Sequence, residues 1–138
     1  MMEQLNVFNE SIHECCMNPI TGFHRDGFCN YHSSDGGLHL VCALMTETFL
    51  SFSRSRGNDL STPRPEFNFP GLKEGDSWCL CAARWLEAYQ YNSAPKIYLK
   101  KTHLESLRII DFDILKEYVA KWRALPHYAD PVLSLIHI

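Results

Sequence analysis

Residues 38–45, LHLVCALM, carry apolar side chains at odd and even positions alike. Successive residues of a strand face opposite sides of a sheet, so a strand apolar in both registers needs cover on both faces. A helix follows at once. Thr46 is a suitable N-cap, Glu47 lies in the first turn where the dipole favours negative charge, and Met45 and Leu50 sit at the two positions of a hydrophobic staple. The helix ETFLSFSRSR carries arginines in its last turn and stops at Gly57.

On either side the signals are shorter. Asp26-Gly27 is a type I′ turn dipeptide and predicts a hairpin with Gly22–Arg25 facing Phe28–Tyr31. SSDGG at 33–37 is a loop. Residues 57–75 contain Pro63, Pro65 and Pro70 and read as one long loop, a length that is uncommon inside a compact domain and often functional. Asp76 reads as the N-cap of a helix running from Ser77 through CAARWLEA. A strand is expected near 96–101 and another in LRII (107–110). A last helix is expected after Asp111, with Phe112, Leu115, Tyr118 or Val119, and Trp122 along one stripe.

These elements predict one α+β domain: a small, mostly antiparallel sheet packed by about three helices. Residues 1–14 read as a loosely ordered lead-in, 15–125 as the domain and 126–138 as a tail. The last six residues, LSLIHI, are an in-frame reading of CTG TCT CTT ATA CAC ATC, a transposon mosaic-end sequencing adaptor. A metagenomic read running into adaptor yields that ending, so Leu133–Ile138 are set apart from the fold.

With 138 residues, 46% hydrophobic and 21% charged, the chain has the composition of a globular protein of one ordinary domain. A net charge of −3 without a basic run argues against a nucleic-acid partner. No apolar stretch is long enough to span a bilayer, so no membrane partner is expected. The N-terminus lacks the basic and apolar regions of a signal peptide, and the expected location is cytoplasmic. There the six cysteines are expected as reduced thiols.

The pair Cys79-x-Cys81 turns on local structure. In a strand the two point to one face and could share a metal; in a helix they diverge by about 200°. The Asp76 cap favours the helix and makes the pair core. On that reading Cys79 lies in the first helical turn, where the dipole favours a thiolate, and is the reactive-thiol candidate. A zinc site would draw on Cys79 or Cys81 with His39, Cys42, Cys29 or Cys15. No pair has zinc-ribbon spacing, and no metal or other cofactor is expected. His39 and Cys42, three apart in a strand, would face opposite sides.

Charged and polar groups at turns make the binding-site candidates: Arg25 and Asp26 at the hairpin tip, Asn58, Asp59, Ser61 and Thr62 in the long loop, and Arg84 on the helix. Turn capping alone explains many such residues. Arginine beside hydroxyl and amide groups on a proline-bracketed loop also suits a carboxylate or phosphate. No phosphate-loop, dinucleotide, nucleophile-elbow or zinc-protease signature is present.

NPITGFHRDGFCN, VCALMTETFLSFSRSRGNDLSTPRPEFNFPGL and GDSWCLCAARWLEAY together resemble a group of small, mostly bacterial proteins known as domain of unknown function 2237. The likeness spans about residues 15–120 and implies a stand-alone domain with no assigned activity. Typical members carry an aromatic residue at position 24 and a second cysteine at position 28, where this chain has His24 and Phe28. That departure makes His24 a poor general base and removes a cysteine pair at 28–29.

The leading functional expectation is a binding module or enzyme that holds a small anionic ligand near residues 57–76. One alternative is a thiol, redox or metal-binding protein using Cys79, Cys81, Cys42 and Cys29. The other is a protein-interaction module docking through the Pro/aromatic loop 63–72.

Overall fold

The computed structural model describes residues 3–120. The apolar run forms β1 (His39–Leu44), with its four inner residues buried. Thr46 caps α1 (Glu47–Ser55), its Oγ1 accepting from the Phe49 N–H at 3.1 Å. Met45 and Leu50 are both buried, and Gly57 leaves the helix at φ +88°. β1 is the middle of a three-stranded antiparallel sheet, between β2 (Ser77–Cys81) and β3 (Lys96–Ile97). Two further helices follow β2 and precede the end of the described chain: α2 (Ala82–Gln90) and α3 (Phe112–Glu117). The expected α+β class is therefore the observed one.

The two faces of β1 enter different cores. Val41 and Ala43 join the main apolar core with Phe49 of α1, Trp85 and Ala88 of α2, Ile97 of β3 and Leu115 of α3. Trp85 is fully buried; its Nε1–H donates to the Pro95 carbonyl at 3.0 Å, and it stacks on Tyr89. Cys42 faces the other way, into a second cluster with Ile12, Cys15, Cys29 and Cys79. Cover on both faces, the demand made by LHLVCALM, thus comes from helices on one side and from the 12–29 segment on the other.

Several expectations are corrected. Asp76 starts no helix: its carboxylate accepts backwards from the Lys73 N–H at 2.9 Å, closing a turn, and its carbonyl receives the Met45 N–H at 2.7 Å. SWCLC then pairs with β1 in the register Leu44↔Ser77 to His39↔Cys81, with a bulge between His39 and Val41, and the helix begins only at Ala82. An unsatisfied buried β1 edge offers five residues a full ladder, which outweighs one local cap.

Asp26-Gly27 forms no hairpin. A type I′ turn needs positive φ at both central residues, and here Arg25 (56°) and Gly27 (90°) are left-handed while Asp26 is not. The segment is instead a compact loop, with the Gly27 carbonyl accepting from both the Cys15 and Cys16 N–H groups. LRII is no strand either: Leu104–Arg108 is a 3-10 helix, and the strand expected over 96–101 shrinks to Lys96–Ile97 before a 3-10 turn at Leu99–Lys101. α3 ends at Glu117, and Val119 bridges to Ile97.

The lead-in is tied down. Leu5 bridges Ser11, Asn6 bridges His103, and Asn6 is fully buried, donating to the Lys100 carbonyl at 3.1 Å. Trp122, the segment 126–138 and its adaptor-like Leu133–Ile138 lie outside the described residues.

Candidate functional site

The long loop folds into a small lobe. The Leu72 N–H donates to the Leu60 carbonyl at 2.8 Å, Arg64 bridges Phe69, and Pro65–Phe67 makes a 3-10 turn between them. Phe69 packs edge-on against Trp78 of β2, with ring centroids 5.3 Å apart. Gly71, at φ +82°, passes so close to the Ser61 carbonyl that a Cβ there would lie 2.5 Å from the oxygen. The lobe is thereby closed and presents one wall of a groove.

That groove is a cavity of about 380 Å³ between the lobe and the 22–25 loop, floored by Trp78 and bordered by Phe23, Arg25, His39 and Arg64. A smaller cavity of about 180 Å³ adjoins it, sharing His39, Leu60 and Trp78 and adding Asn58, Cys81 and Arg84. Arg25 is fixed: Nη1 donates to the Gly22 carbonyl at 2.6 Å, and the guanidinium carbon stands 5.1 Å from the centre of the Trp78 ring. The Arg64 guanidinium has no hydrogen-bonded or ionic partner among the described residues, and the residue is exposed. Arg84 contacts the Arg56 carbonyl at 3.3 Å and Glu87 at 3.4 Å. Glu87 is held more firmly by Arg56, at 2.8 Å; that hydrogen bond first, and the charges of Arg56 and Arg84 after it, lower its pKa.

Of the seven binding-site candidates, Arg25, Asn58 and Arg84 line these cavities. The other four do not. Asp26 accepts from the Phe28 N–H and from Asn30, both at 3.1 Å. Asp59 accepts from the Ser61 and Thr62 N–H groups and from the Thr62 hydroxyl at 2.7 Å, bonds that lower its pKa, the hydroxyl's most. Thr62 and Ser61 are therefore partners within a turn, the bland alternative for such residues.

Arg64 and Trp78 are not among the sequence's binding-site candidates, and His39 stands there only as a possible zinc ligand. A signal for His39 lay in its spacing from Asp35. The Asp35 side chain is buried, accepts from the His39 and Gly37 N–H groups at 2.8 and 3.1 Å, and receives His39 Nδ1 at 2.8 Å. A carboxylate only accepts, so neutral His39 carries its proton on Nδ1 and leaves the Nε2 lone pair free.

The cysteines are also rearranged. Cys79 is in the middle of a strand, not in a first helical turn, and it is disulfide-bonded to Cys29, so it presents no free thiol. Cys15 is bonded to Cys42, and Cys16 and Cys81 are the free cysteines. Four cysteines are thus crosslinked where reduced thiols were expected. The sulfurs of Cys15, Cys29 and Cys79 lie within 4.8 Å of one another, all buried, with Cys42 attached to the first. The set that clusters is Cys15, Cys29, Cys42 and Cys79; Cys81 stands apart, at the end of β2. Two threonines lock this knot to the sheet, Thr21 accepting from the Cys79 N–H at 2.8 Å and Thr102 from the Cys42 N–H at 3.2 Å.

Among the described residues no helix is long and apolar enough to cross a membrane. No curated protein matches the chain. The DUF2237 sequence pattern, described as an uncharacterised protein conserved in bacteria, matches residues 5–119, so it takes in the sheet, the lobe, the groove and the cysteine knot, and the chain belongs to that family.

Proposed function

We propose that the protein binds a small anionic ligand in the groove between the 57–76 lobe and the 22–25 loop. The observation that carries this reading is the convergence of Arg25 and Arg64, from two separate loops, on one cavity floored by Trp78, with Arg84 at the adjoining one. An aromatic floor with guanidinium groups at the rim suits a flat or apolar body bearing a carboxylate or phosphate. The net charge of −3 and the size of the cavity favour a small ligand over a nucleic acid. Thermal-shift titration with inorganic phosphate and small dicarboxylates is the test. Arg64→Ala and Arg84→Ala should each weaken saturable binding by about tenfold or more. Arg108→Ala, in a surface pair with Glu105, should leave it unchanged. Equal binding by the Arg64 variant and the parent would sink the reading.

A second reading has its own support in the buried sulfur knot. In a cytoplasmic setting thiols are kept reduced, and Cys15, Cys29, Cys42 and Cys79 would then offer four thiolates in one place, a set suited to zinc or to thiol exchange. Zinc analysis of protein purified under reductant tests it. A near-equimolar content supports the metal form, and its absence from fully reduced, folded protein excludes that form. The third expectation, docking through loop 63–72, retains only Phe67 as a large exposed apolar side chain, since Phe69 is turned onto Trp78.

A further inference from the structure

The geometry points to Cys81, His39 and Asp35 as a nucleophilic thiol site at the inner end of the groove, acting on an activated acyl group (an ester or thioester) of an anionic substrate. We rest only the substrate's charge on the anion-binding reading; the thiol site stands on its own residues. Cys81 is one of the free cysteines, is partly buried, and lines the smaller cavity with His39 and Arg84. Across the β1–β2 ladder it is paired directly with His39. The pair stands at the bulge between His39 and Val41, and both residues line the one cavity of about 180 Å³, which brings thiol and imidazole to the same pocket. Hydrogen bonds between a nucleophile and its base are commonly looser before substrate is present.

Asp35 completes the arrangement as a positioning residue. Its buried carboxylate holds His39 by both the backbone N–H and Nδ1, fixing the ring and the tautomer that leaves Nε2 free to take a proton. Phe23, nearly parallel to the His39 ring at 6.3 Å, bounds the ring on one side. Cys81 is also the N-cap of the nine-residue α2, which has no side-chain cap. The N–H groups of Ala83 and Arg84 therefore lack partners within the helix and stand beside the thiol, where an oxyanion would form.

The chemistry balances without an oxidant or metal. His39 Nε2 takes the thiol proton as Cys81 Sγ attacks the acyl carbon, making a C–S bond and a tetrahedral oxyanion. Collapse breaks the bond to the leaving oxygen or sulfur, which takes the proton from His39. Water, deprotonated by His39, then attacks the thioester; a carboxylic acid leaves and Cys81 recovers its proton. One water is consumed for each acyl group released.

The test uses p-nitrophenyl acetate and iodoacetamide on the full chain carrying Cys16→Ser, without reductant, so that Cys81 is the free thiol. Acetyl transfer to Cys81, read by peptide mass spectrometry, is expected, and Cys81→Ser should abolish it. His39→Gln, a change at a partly exposed side chain, should slow it at about pH 7 by roughly 100-fold or more. Asp35→Asn should displace the pH profile of alkylation while phosphate binding persists. Failure of Cys81 to acquire acetyl, or equal rates in the folded His39→Gln variant and its parent, overturns the proposal. Phosphate titration of Cys81→Ser, which keeps Arg25, Arg64 and Arg84, separates the two readings. Binding there with an unreactive Cys81 removes the nucleophile and keeps the groove; a reactive, His39-dependent Cys81 without phosphate binding keeps the nucleophile and removes the groove.

Discussion

Reducing the protein should cost it a large part of its stability. The Cys29–Cys79 bond closes a sequence separation of 50 residues and Cys15–Cys42 one of 27. In the chain-entropy description such loops stabilise by about 4 and about 3.5 kcal/mol, respectively. The two loops interlock, since Cys29 lies inside the Cys15–Cys42 loop and Cys42 inside the Cys29–Cys79 loop, so opening both costs less than the sum. Even the larger value alone is a substantial fraction of a typical net stability of about 5–15 kcal/mol. For a domain of this size it corresponds to a fall in melting temperature of roughly 10–20 °C. The assay has two parts. Thiol titration in denaturant should find two free groups, Cys16 and Cys81, and six after reduction. Melting by circular dichroism, with a chelator present throughout, should then drop on adding a phosphine reductant, and Cys29→Ala/Cys79→Ala should reproduce most of the drop. Six thiols before reduction, together with a melt that ignores the reductant, would refute the crosslinks. Collapse of that same six-thiol protein on chelation would instead identify the four buried sulfurs as metal ligands.

Two further outcomes follow from single residues. Burial pushes the His103 pKa down, and in the neutral ring Nδ1 accepts the Glu105 N–H at 3.0 Å while Nε2 donates to Gln4 at 2.7 Å. The unfolded chain binds the proton near pH 6.5 and the folded chain only lower, so stability should fall as pH drops below about 6.5. Urea midpoints at about pH 7.5 and 5.5 check this, and His103→Asn should reduce the difference; an unchanged difference would rule His103 out. Gly71→Ala should destabilise by roughly 1–3 kcal/mol, because a left-handed backbone and a Cβ against the Ser61 carbonyl are both unfavourable. It should also weaken anion binding by opening the lobe, and an unchanged melt with unchanged binding would show that the lobe does not need this closure.

What could be read from the sequence was local. β1 and α1 were legible because an apolar run, a capping threonine, a staple and a terminal glycine sit within about twenty consecutive residues and agree. SWCLC was not legible, because a five-residue apolar run fits a strand or a buried helical turn, and the β1 edge that decides between them is 33 or more residues earlier. The cysteine pairing was hidden for a related reason: spacing carries no connectivity, and the partners of Cys29 and Cys42 are set by how the 12–29 segment crosses the sheet. At the site, Arg25 and Arg84 could be found as cations at turns or on an apolar helix. Asp26, Asp59, Ser61 and Thr62 are likewise polar residues at turns but close those turns, because a short polar side chain beside a free N–H satisfies it locally before reaching further.

The groove's rim carries no strand or α-helix of its own, and this explains why the cysteine knot lies behind it. That rim comes from the 22–25 loop and the 57–76 lobe, while Trp78, Cys79, Leu80 and Cys81 on β2, His39 on β1 and Arg84 on α2 supply the regular structure. The 22–25 loop meets the sheet through the Cys29–Cys79 bond and the Thr21–Cys79 hydrogen bond, both ending on the residue beside Trp78. Arg25 is therefore fixed over the indole by a covalent tie at one neighbouring position and a buried hydroxyl at another. A guanidinium on an untethered surface loop would lose binding energy to ordering each time a ligand arrived. Here that ordering is already made in the fold, by crosslinks whose sequence separation gives them their strength. The knot supports the site from behind and borders the cavity at Cys79, and the bonds that hold the second core together also set the position of Arg25.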